Sequence, residues 1–133
     1  MKKILLSFCL ITSLIASAQT GTDVIGSFIS HSAGTRDTTR TYRIYVPKTY
    51  DSVKLVHSVP VLYNFHGLGS NSAQQEAYGD FRKIADTACF IIVLPQGLKV
   101  QSLLNQNAFN VFMSPVTTAK ADLDYVSHLM DTV

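Results

Sequence analysis

Two largely apolar segments, separated by a helix-forming one, constrain the fold of this chain more than any other feature. They are residues 61–65 (VLYNF) and 89–94 (CFIIVL). Continuous apolar runs of this length are typical of strands that are covered on both faces in a mostly parallel sheet. Residues 73–88 between them place Phe81, Ile84 and other apolar side chains at helical spacing. The order strand, helix, strand predicts a parallel crossover unit and therefore an α/β fold.

The segments on either side of this unit extend the prediction. Residues 23–32 mix β-branched and small side chains, a turn-like segment follows, and residues 39–46 alternate with period two up to Pro47. This pattern predicts two strands in an antiparallel hairpin. Residues 98–118 show no clean period and are predicted to form a long loop. A further helix is predicted from Lys120–Asp122 onward, and no helix-stop signal follows it.

The first 18 residues have the composition of a secretory signal peptide. A basic start is followed by the apolar run 4–16 and by small residues in the pattern Ala-Ser-Ala. A transmembrane anchor is the less favoured alternative, because crossing a bilayer needs about 20 apolar residues. Lipid attachment at Cys9 is disfavoured because a bulky phenylalanine precedes it. The sequence therefore predicts cleavage after Ala18 and a secreted or periplasmic domain over residues 19–133.

Charge and cysteine content exclude several classes of partner. The chain has 11 basic and 9 acidic residues, and cleavage would remove two of the lysines. A neutral chain without a Lys/Arg cluster is not expected to bind nucleic acid or, once cleaved, a membrane. Cys89 would be the remaining cysteine, so no internal disulfide is predicted, and its apolar neighbours favour a buried thiol.

The sharpest chemical motif is His66-Gly67-Leu68-Gly69, which follows the first apolar segment. It falls at the carboxyl end of a predicted strand, where open α/β sheets bind their ligands. Glycines allow a sharp turn that brings the backbone N–H of Leu68 close to a substrate oxygen. Such an N–H can act in an oxyanion hole, where losing one donor costs about 10²–10³ in kcat. A simple glycine turn is the alternative, and the motif alone leaves both open.

The histidines and helix carboxylates are assigned no catalytic chemistry. His66 could be a general base, but no nucleophile accompanies it, so a loop-supporting role is favoured. His31, His57 and His128 are not at the spacing of metal ligands, and no metal or other cofactor is predicted. Three carboxylates of the last predicted helix are interpreted as solvated charges: Asp122, Asp124 and Asp131.

Four segments, taken in order, carry a family resemblance. They are residues 42–47 (YRIYVP), 59–67 (VPVLYNFHG), 93–97 (VLPQG) and 122–126 (DLDYV). In this order and spacing they resemble secreted polyhydroxybutyrate depolymerases and their feruloyl and acetylxylan esterase relatives. The resemblance implies an α/β-hydrolase fold, with the hairpin, the crossover unit and the last helix forming its N-terminal part.

The resemblance also implies a function and a set of site residues. The reaction would be hydrolysis of a carboxylic ester through an acyl-enzyme, without a cofactor. The substrate would be a polyester, an acylated plant polysaccharide or a small ester. The residues would divide into oxyanion donors (Leu68 and Gly67), loop support (His66 and Gly69) and the cleft border (Gln96 and Gly97).

One feature departs from the family pattern. Its nucleophilic serine lies in a G-x-S-x-G elbow, and no such motif occurs in this sequence. Ser70 does not fit the motif and is interpreted as a loop or helix-cap residue, with Asn71 and Ser72 as the alternative caps. The catalytic serine, acid and histidine are therefore expected beyond Val133. The 133-residue chain alone is expected to be inactive.

Two other functions are alternatives to a part of a serine esterase. The chain could be a secreted, non-catalytic binding or interaction domain. An incomplete sheet argues against this, because its apolar edge would recruit other chains. It could also belong to a related α/β-hydrolase of another class, such as a peptidase or a dienelactone-type enzyme. The sequence of the serine elbow would distinguish these enzymes.

Overall fold

A four-stranded mixed sheet organises the part of the chain that the computed structural model describes, namely residues 20–31, 37–100, 104–109 and 116–133. The strands lie in the order β1 (Thr22–Ser30), β2 (Thr38–Val46), β4 (Ile91–Pro95) and β3 (Val61–Tyr63). The helices are α1 (Tyr50–Val53), α2 (Ser72–Tyr78), α3 (Arg82–Ala88) and α4 (Val116–Thr132). A separate pair consists of β5 (Leu98–Val100) and β6 (Gln106–Ala108).

The predicted hairpin is confirmed. Strands β1 and β2 pair antiparallel along their whole length, from Thr22 opposite Val46 to Ser30 opposite Thr38. Strand β4 then pairs antiparallel with β2 and parallel with β3. The hairpin therefore continues directly into the sheet that contains the crossover unit.

The crossover from β3 to β4 is confirmed, but its helical part is two short helices where one was predicted. Gly79 ends α2, and the carboxylate of Asp80 accepts a hydrogen bond from the backbone N–H of Arg82 at 3.1 Å. A glycine followed by a capping carboxylate interrupts a helix, because both favour non-helical backbone. Asn71, one of the three predicted caps, accepts from the backbone N–H of Gln74 at 2.9 Å.

Strand β4 lies at the centre of the core, as its apolar sequence predicts. All five of its residues are buried. One face packs on a cluster that includes Tyr45 and Ala85, and the other packs on Tyr125 and Leu129 of α4. The buried thiol of Cys89 lies just before this strand and forms no disulfide within the described residues.

The prediction that both apolar segments are buried is wrong for β3. This strand pairs with β4 on one side only, and Val61 and Leu62 are each 36% exposed. Strand β3 lies at the edge of the described sheet. It therefore lacks the side chains of a second neighbouring strand, which would shield Val61 and Leu62.

The prediction of one long loop over residues 98–118 is also wrong in part. Strands β5 and β6 form a small antiparallel hairpin, with Leu98 opposite Ala108. Each strand has three residues, which is too short to display a period of two. Leu104 and Asn105 lie before β6 with φ angles of 54° and 59°, a conformation found in turns.

Helix α4 covers one face of the sheet and begins at Val116, before the predicted start. The interpretation of Asp122 as a solvated charge is wrong: its side chain lies 2.6 Å from Arg40 of β2, and both residues are buried. The Arg40 guanidinium also lies 3.9 Å from the ring centroid of Tyr125. Asp122 is buried because α4 packs directly over the end of β2 that carries Arg40.

No helix within the described ranges combines the length and apolar character needed to cross a bilayer. The predicted signal peptide over residues 1–18 lies outside the described residues.

Candidate functional site

The His66-Gly67-Leu68-Gly69 segment follows β3 and forms a tight turn. The backbone N–H of Ser70 donates to the carbonyl oxygen of Gly67 at 3.2 Å, and Gly69 has φ +77°. A hydrogen bond from the fourth residue to the first, with a positive φ at the third, is the pattern of a type II turn. Glycine is therefore needed at position 69 for backbone reasons.

Gly67 differs from Gly69, because neither its backbone angles nor its neighbours require glycine. Its φ is not positive, and a Cβ built on it meets no atom within 4 Å. A side chain at this position would project into open space beside the loop. Glycine is required in such a place only if something outside the described residues, such as a ligand, approaches the backbone closely.

His66 is buried and uses both ring nitrogens to hold the loop. Its Nδ1 lies 2.8 Å from the carbonyl oxygen of Gly67, and its Nε2 lies 2.9 Å from the backbone nitrogen of Gly97. A carbonyl can only accept and a backbone N–H can only donate, so the ring is neutral with its proton on Nδ1. In this arrangement neither nitrogen is available to take a proton from a nucleophile.

Gln96 and Gly97 lie against His66 and connect the end of β4 with α2. The Gln96 Oε1 accepts from the backbone N–H of Ser72 at 2.9 Å, and its Nε2 donates to the carbonyl of Gly97 at 2.9 Å. A Cβ on Gly97 would come within 2.6 Å of the Ala108 carbonyl oxygen. Glycine at position 97 thus permits β6 to pack closely beside His66.

Strand β6 contacts the turn directly, and no local pattern in the sequence predicts this contact. The carbonyl of Asn107 accepts from the N–H of Gly69 at 2.8 Å, and its side-chain Nδ2 donates to the carbonyl of Ser70 at 2.9 Å. Just after β6, the ring of Phe109 packs 4.9 Å from the imidazole of His66, measured between centroids.

The contacts of the turn leave the Leu68 N–H without a hydrogen-bond acceptor among the described residues. The N–H groups of Gly69 and Ser70 are engaged, whereas no acceptor for those of Gly67 and Leu68 is found among the described residues. Because the peptide group is planar and trans, the Leu68 N–H points opposite to the Gly67 carbonyl, which faces His66 and Ser70. Leu68 itself is 57% exposed. An N–H fixed in this way can donate to an anionic oxygen.

A cavity of about 420 Å³ lies beside the loop. Its lining is mostly apolar and comes from the end of β3, the residue after β6, and α4: Phe65, His66, Phe109, Asp122, Leu123 and Val126. Phe65 and Phe109 pack edge to face with centroids 5.2 Å apart. The first residue of the loop, His66, therefore lines an apolar space, and Gly67 and Leu68 follow it directly in the chain.

Among the described residues, the structure brings no metal-binding group to His31, His57 or His128. Within the described ranges, no cluster of three His, Cys, Asp or Glu side chains could hold a metal ion. His31 pairs with Asp37 on the surface at 2.8 Å, and His128 packs on Phe28 with ring centroids 4.4 Å apart.

No family model and no curated protein matches the sequence. Solved structures do match. A ferulic acid esterase is 19% identical, with 85% of this chain and 45% of that chain covered and a TM-score of 0.59. The S-formylglutathione hydrolase FrmB from Staphylococcus aureus is 11% identical, with 86% and 42% covered and a TM-score of 0.55.

A third structure is FphF, a fluorophosphonate-binding serine hydrolase of Staphylococcus aureus, which is 11% identical, with 86% and 42% covered and a TM-score of 0.53. The chain spans less than half the length of each of these three proteins. At such identities the likeness concerns the fold. The predicted α/β-hydrolase-type fold class is confirmed.

Proposed function

We propose that this chain is the part of a serine ester hydrolase that carries the oxyanion-binding loop. One observation carries the proposal: His66 and Ser70 hold the Gly67 carbonyl, which leaves the Leu68 N–H directed away from the turn. This N–H lies just past the carboxyl end of a parallel strand, where α/β folds bind their ligands. The fold is one that esterases also adopt.

The chemistry of ester hydrolysis gives such an N–H a definite task. When a serine attacks the ester carbonyl, the carbonyl oxygen becomes negatively charged, and a preorganised donor stabilises it. Leu68 is the proposed main donor, and Gly67 is the second. The alcohol then leaves, and water hydrolyses the acyl-enzyme through a second oxyanion at the same place. No cofactor takes part in this scheme.

The nucleophile is proposed to lie in sequence beyond Val133, together with the acid and the catalytic histidine. The 133 residues contain no G-x-S-x-G, and each of the three similar proteins is more than twice as long as the part matched. The unpaired edge of β3 supports the proposal that the catalytic residues lie in sequence beyond Val133. Parallel strands normally lie inside a covered sheet, so the unpaired edge of β3 supports a further strand there, which would also shield Val61 and Leu62.

The substrate is proposed to be an ester with a substantial apolar part. Support comes from the cavity of about 420 Å³ next to the loop, which Phe65, Phe109 and Val126 help to line. Polyhydroxyalkanoates and feruloyl or acetyl esters of plant polysaccharide fit the sequence resemblance. Export by the proposed signal peptide over residues 1–18 would suit such extracellular polymers.

The proposal is tested by translating the coding DNA past the Val133 codon and expressing the extended polypeptide. We expect a fluorophosphonate probe to label a serine beyond Val133, and p-nitrophenyl esters to be hydrolysed. A stop codon directly after Val133, or the absence of both labelling and hydrolysis, would overturn the esterase proposal and favour a binding domain.

The oxyanion assignment is tested separately with Leu68→Pro and Leu68→Ala in the extended polypeptide. Proline removes the N–H, yet the second position of a type II turn accommodates it, so the turn is expected to persist. We expect Leu68→Pro to lower kcat by about 10²–10³, while Leu68→Ala keeps most of it. An unchanged kcat in a folded Leu68→Pro protein would remove Leu68 from the mechanism.

A further inference from the structure

Strand β6 and the residue after it contact the candidate loop over four successive positions. The side chain of Gln106 lies 3.4 Å from the point where a Cβ of Gly69 would be. Asn107 binds Gly69 and Ser70, Ala108 packs on Gly97, and Phe109 packs on His66. Every one of these contacts falls on the turn or on the residues that hold it.

Asn107 makes the polar contacts in this group. Its backbone carbonyl accepts from the Gly69 N–H at 2.8 Å, and its side-chain amide donates to the Ser70 carbonyl at 2.9 Å. His66 fixes the start of the turn through Gly67, and Asn107 fixes its end. Leu68 lies between these two attachments.

The Gly69 N–H belongs to the central peptide of the turn, whose direction distinguishes type II from type I. Glycine adopts the backbone angles of either type at little cost, so the sequence of the turn does not select between them. A flip to type I would turn the Gly69 N–H away from Asn107 and direct the Leu68 carbonyl towards the Asn107 carbonyl. Strand β6 therefore stabilises the type II form.

We propose that Asn107 is a positioning residue that holds the turn in its type II form and so fixes the far end of the loop that carries the Leu68 N–H. The catalytic consequence rests on the proposed esterase function, whereas the positioning itself does not. Asn107 acts through Gly69 and Ser70 and is not expected to touch the substrate.

The test compares Asn107→Asp with Asn107→Leu by amide hydrogen exchange in the ¹⁵N-labelled chain. An ionised aspartate can only accept, so it loses the bond to the Ser70 carbonyl, whereas a protonated one donates through its hydroxyl. Leucine has a similar size and cannot donate at any pH. At neutral pH we expect the Gly69 N–H to exchange about tenfold faster in both variants than in the original chain.

Acidification separates the two variants. Below the pKa of the introduced carboxyl, Asn107→Asp should exchange at Gly69 as slowly as the original chain at the same pH, whereas Asn107→Leu should still exchange faster than the original chain. The other titratable groups near the loop are His66, on the turn, and Asp122, which lines the same cavity and pairs with Arg40. They are present in both variants, so their own titration cannot produce a difference between them.

Two outcomes of the exchange experiment overturn the proposal. Gly69 exchange equal to that of the original chain in both variants would show that the side chain does not hold the turn. Loss of amide dispersion throughout β4 in both variants would assign Asn107 a general folding role. In the extended polypeptide, kcat should fall with KM little changed, and the ratio of variant kcat to original kcat at the same pH should recover on acidification only in Asn107→Asp. Absence of esterase activity with the Gly69 result intact would refute the proposed function alone.

Discussion

His66 Nε2 accepts a hydrogen bond from the backbone N–H of Gly97 at 2.9 Å, across 31 positions of sequence. The other ring nitrogen donates to the Gly67 carbonyl, so one neutral imidazole ties the turn to the end of β4. A second proton, on Nε2, would face the Gly97 N–H and break this link. The conformation of the turn is therefore coupled to the protonation state of His66.

Nitrogen NMR of the histidine side chains should reveal this tautomer directly. At neutral pH we expect His66 to carry its proton on Nδ1, with an unprotonated Nε2. The exposed His57 provides an internal reference. A proton on Nε2 of His66 at neutral pH would contradict the hydrogen-bond assignment.

His66→Phe should destabilise the chain by about 1–3 kcal/mol, because it leaves the Gly97 N–H without an acceptor in a buried place. Urea unfolding measures this change. His66→Gln, which can donate and accept, is the matched control and should cost less. Equal losses in the two variants would show that packing of the ring, not its hydrogen bonds, contributes the stability.

Alanine at the two glycines of the turn should separate folding from ligand approach. Gly69→Ala should lower the free energy of unfolding by about 1–2 kcal/mol, since φ is +77° there. Gly67→Ala should change it by less than about 1 kcal/mol, because the added methyl group meets no atom. In the extended polypeptide, Gly67→Ala should nevertheless reduce kcat/KM. Full activity would show that no substrate approaches this backbone.

The buried pair of Arg40 and Asp122 should be essential to stability. Asp122→Asn leaves the guanidinium charge buried without a counter-charge, which costs about 3–5 kcal/mol in comparable cases. The control is Asp51→Asn, which breaks an exposed pair with Lys54 and should cost far less, because solvent screens an exposed pair. Urea unfolding at neutral pH compares the two. Similar losses would show that Arg40 does not depend on Asp122.

Stability should fall at alkaline pH partly through one tyrosine. Burial raises the pKa of Tyr125 from 10.0 to about 12. Between these values the unfolded chain has lost the phenolic proton while the folded chain keeps it, so stability falls as pH rises across that window. The expected loss is about 2–3 kcal/mol. Urea unfolding at several pH values should show a shallower decline in Tyr125→Phe; an identical decline would contradict the assignment.

The elements that the sequence predicted correctly are those with strong local patterns. The fully apolar β4, the alternating β2 and the Asn71 cap each depend on neighbouring residues only. The sequence does not predict the split between α2 and α3, because the apolar residues on both sides of Gly79 continue the helical spacing. The exposure of β3 depends on which strands pair with it, and its own sequence does not contain that information.

The candidate site, like the fold, is predicted from the sequence only where the pattern is local. The position of the His66-Gly67 motif at a strand end follows from the sequence, and so does the need for glycine at position 69. The partner of His66 and the contacts of Asn107 link distant segments that have no shared pattern. The burial of Asp122 depends likewise on Arg40, 82 positions earlier. Such pairs become visible only when the packing is known.

The attachment of the turn to β6 has a consequence for the order of folding during synthesis. When Ser70 leaves the ribosome, Asn107 is still 37 positions from being available to bind it. Translation proceeds at roughly 5–20 residues per second, so the turn remains unsupported for seconds. The geometry of this loop is therefore acquired late, after β4 and the hairpin behind it have been made.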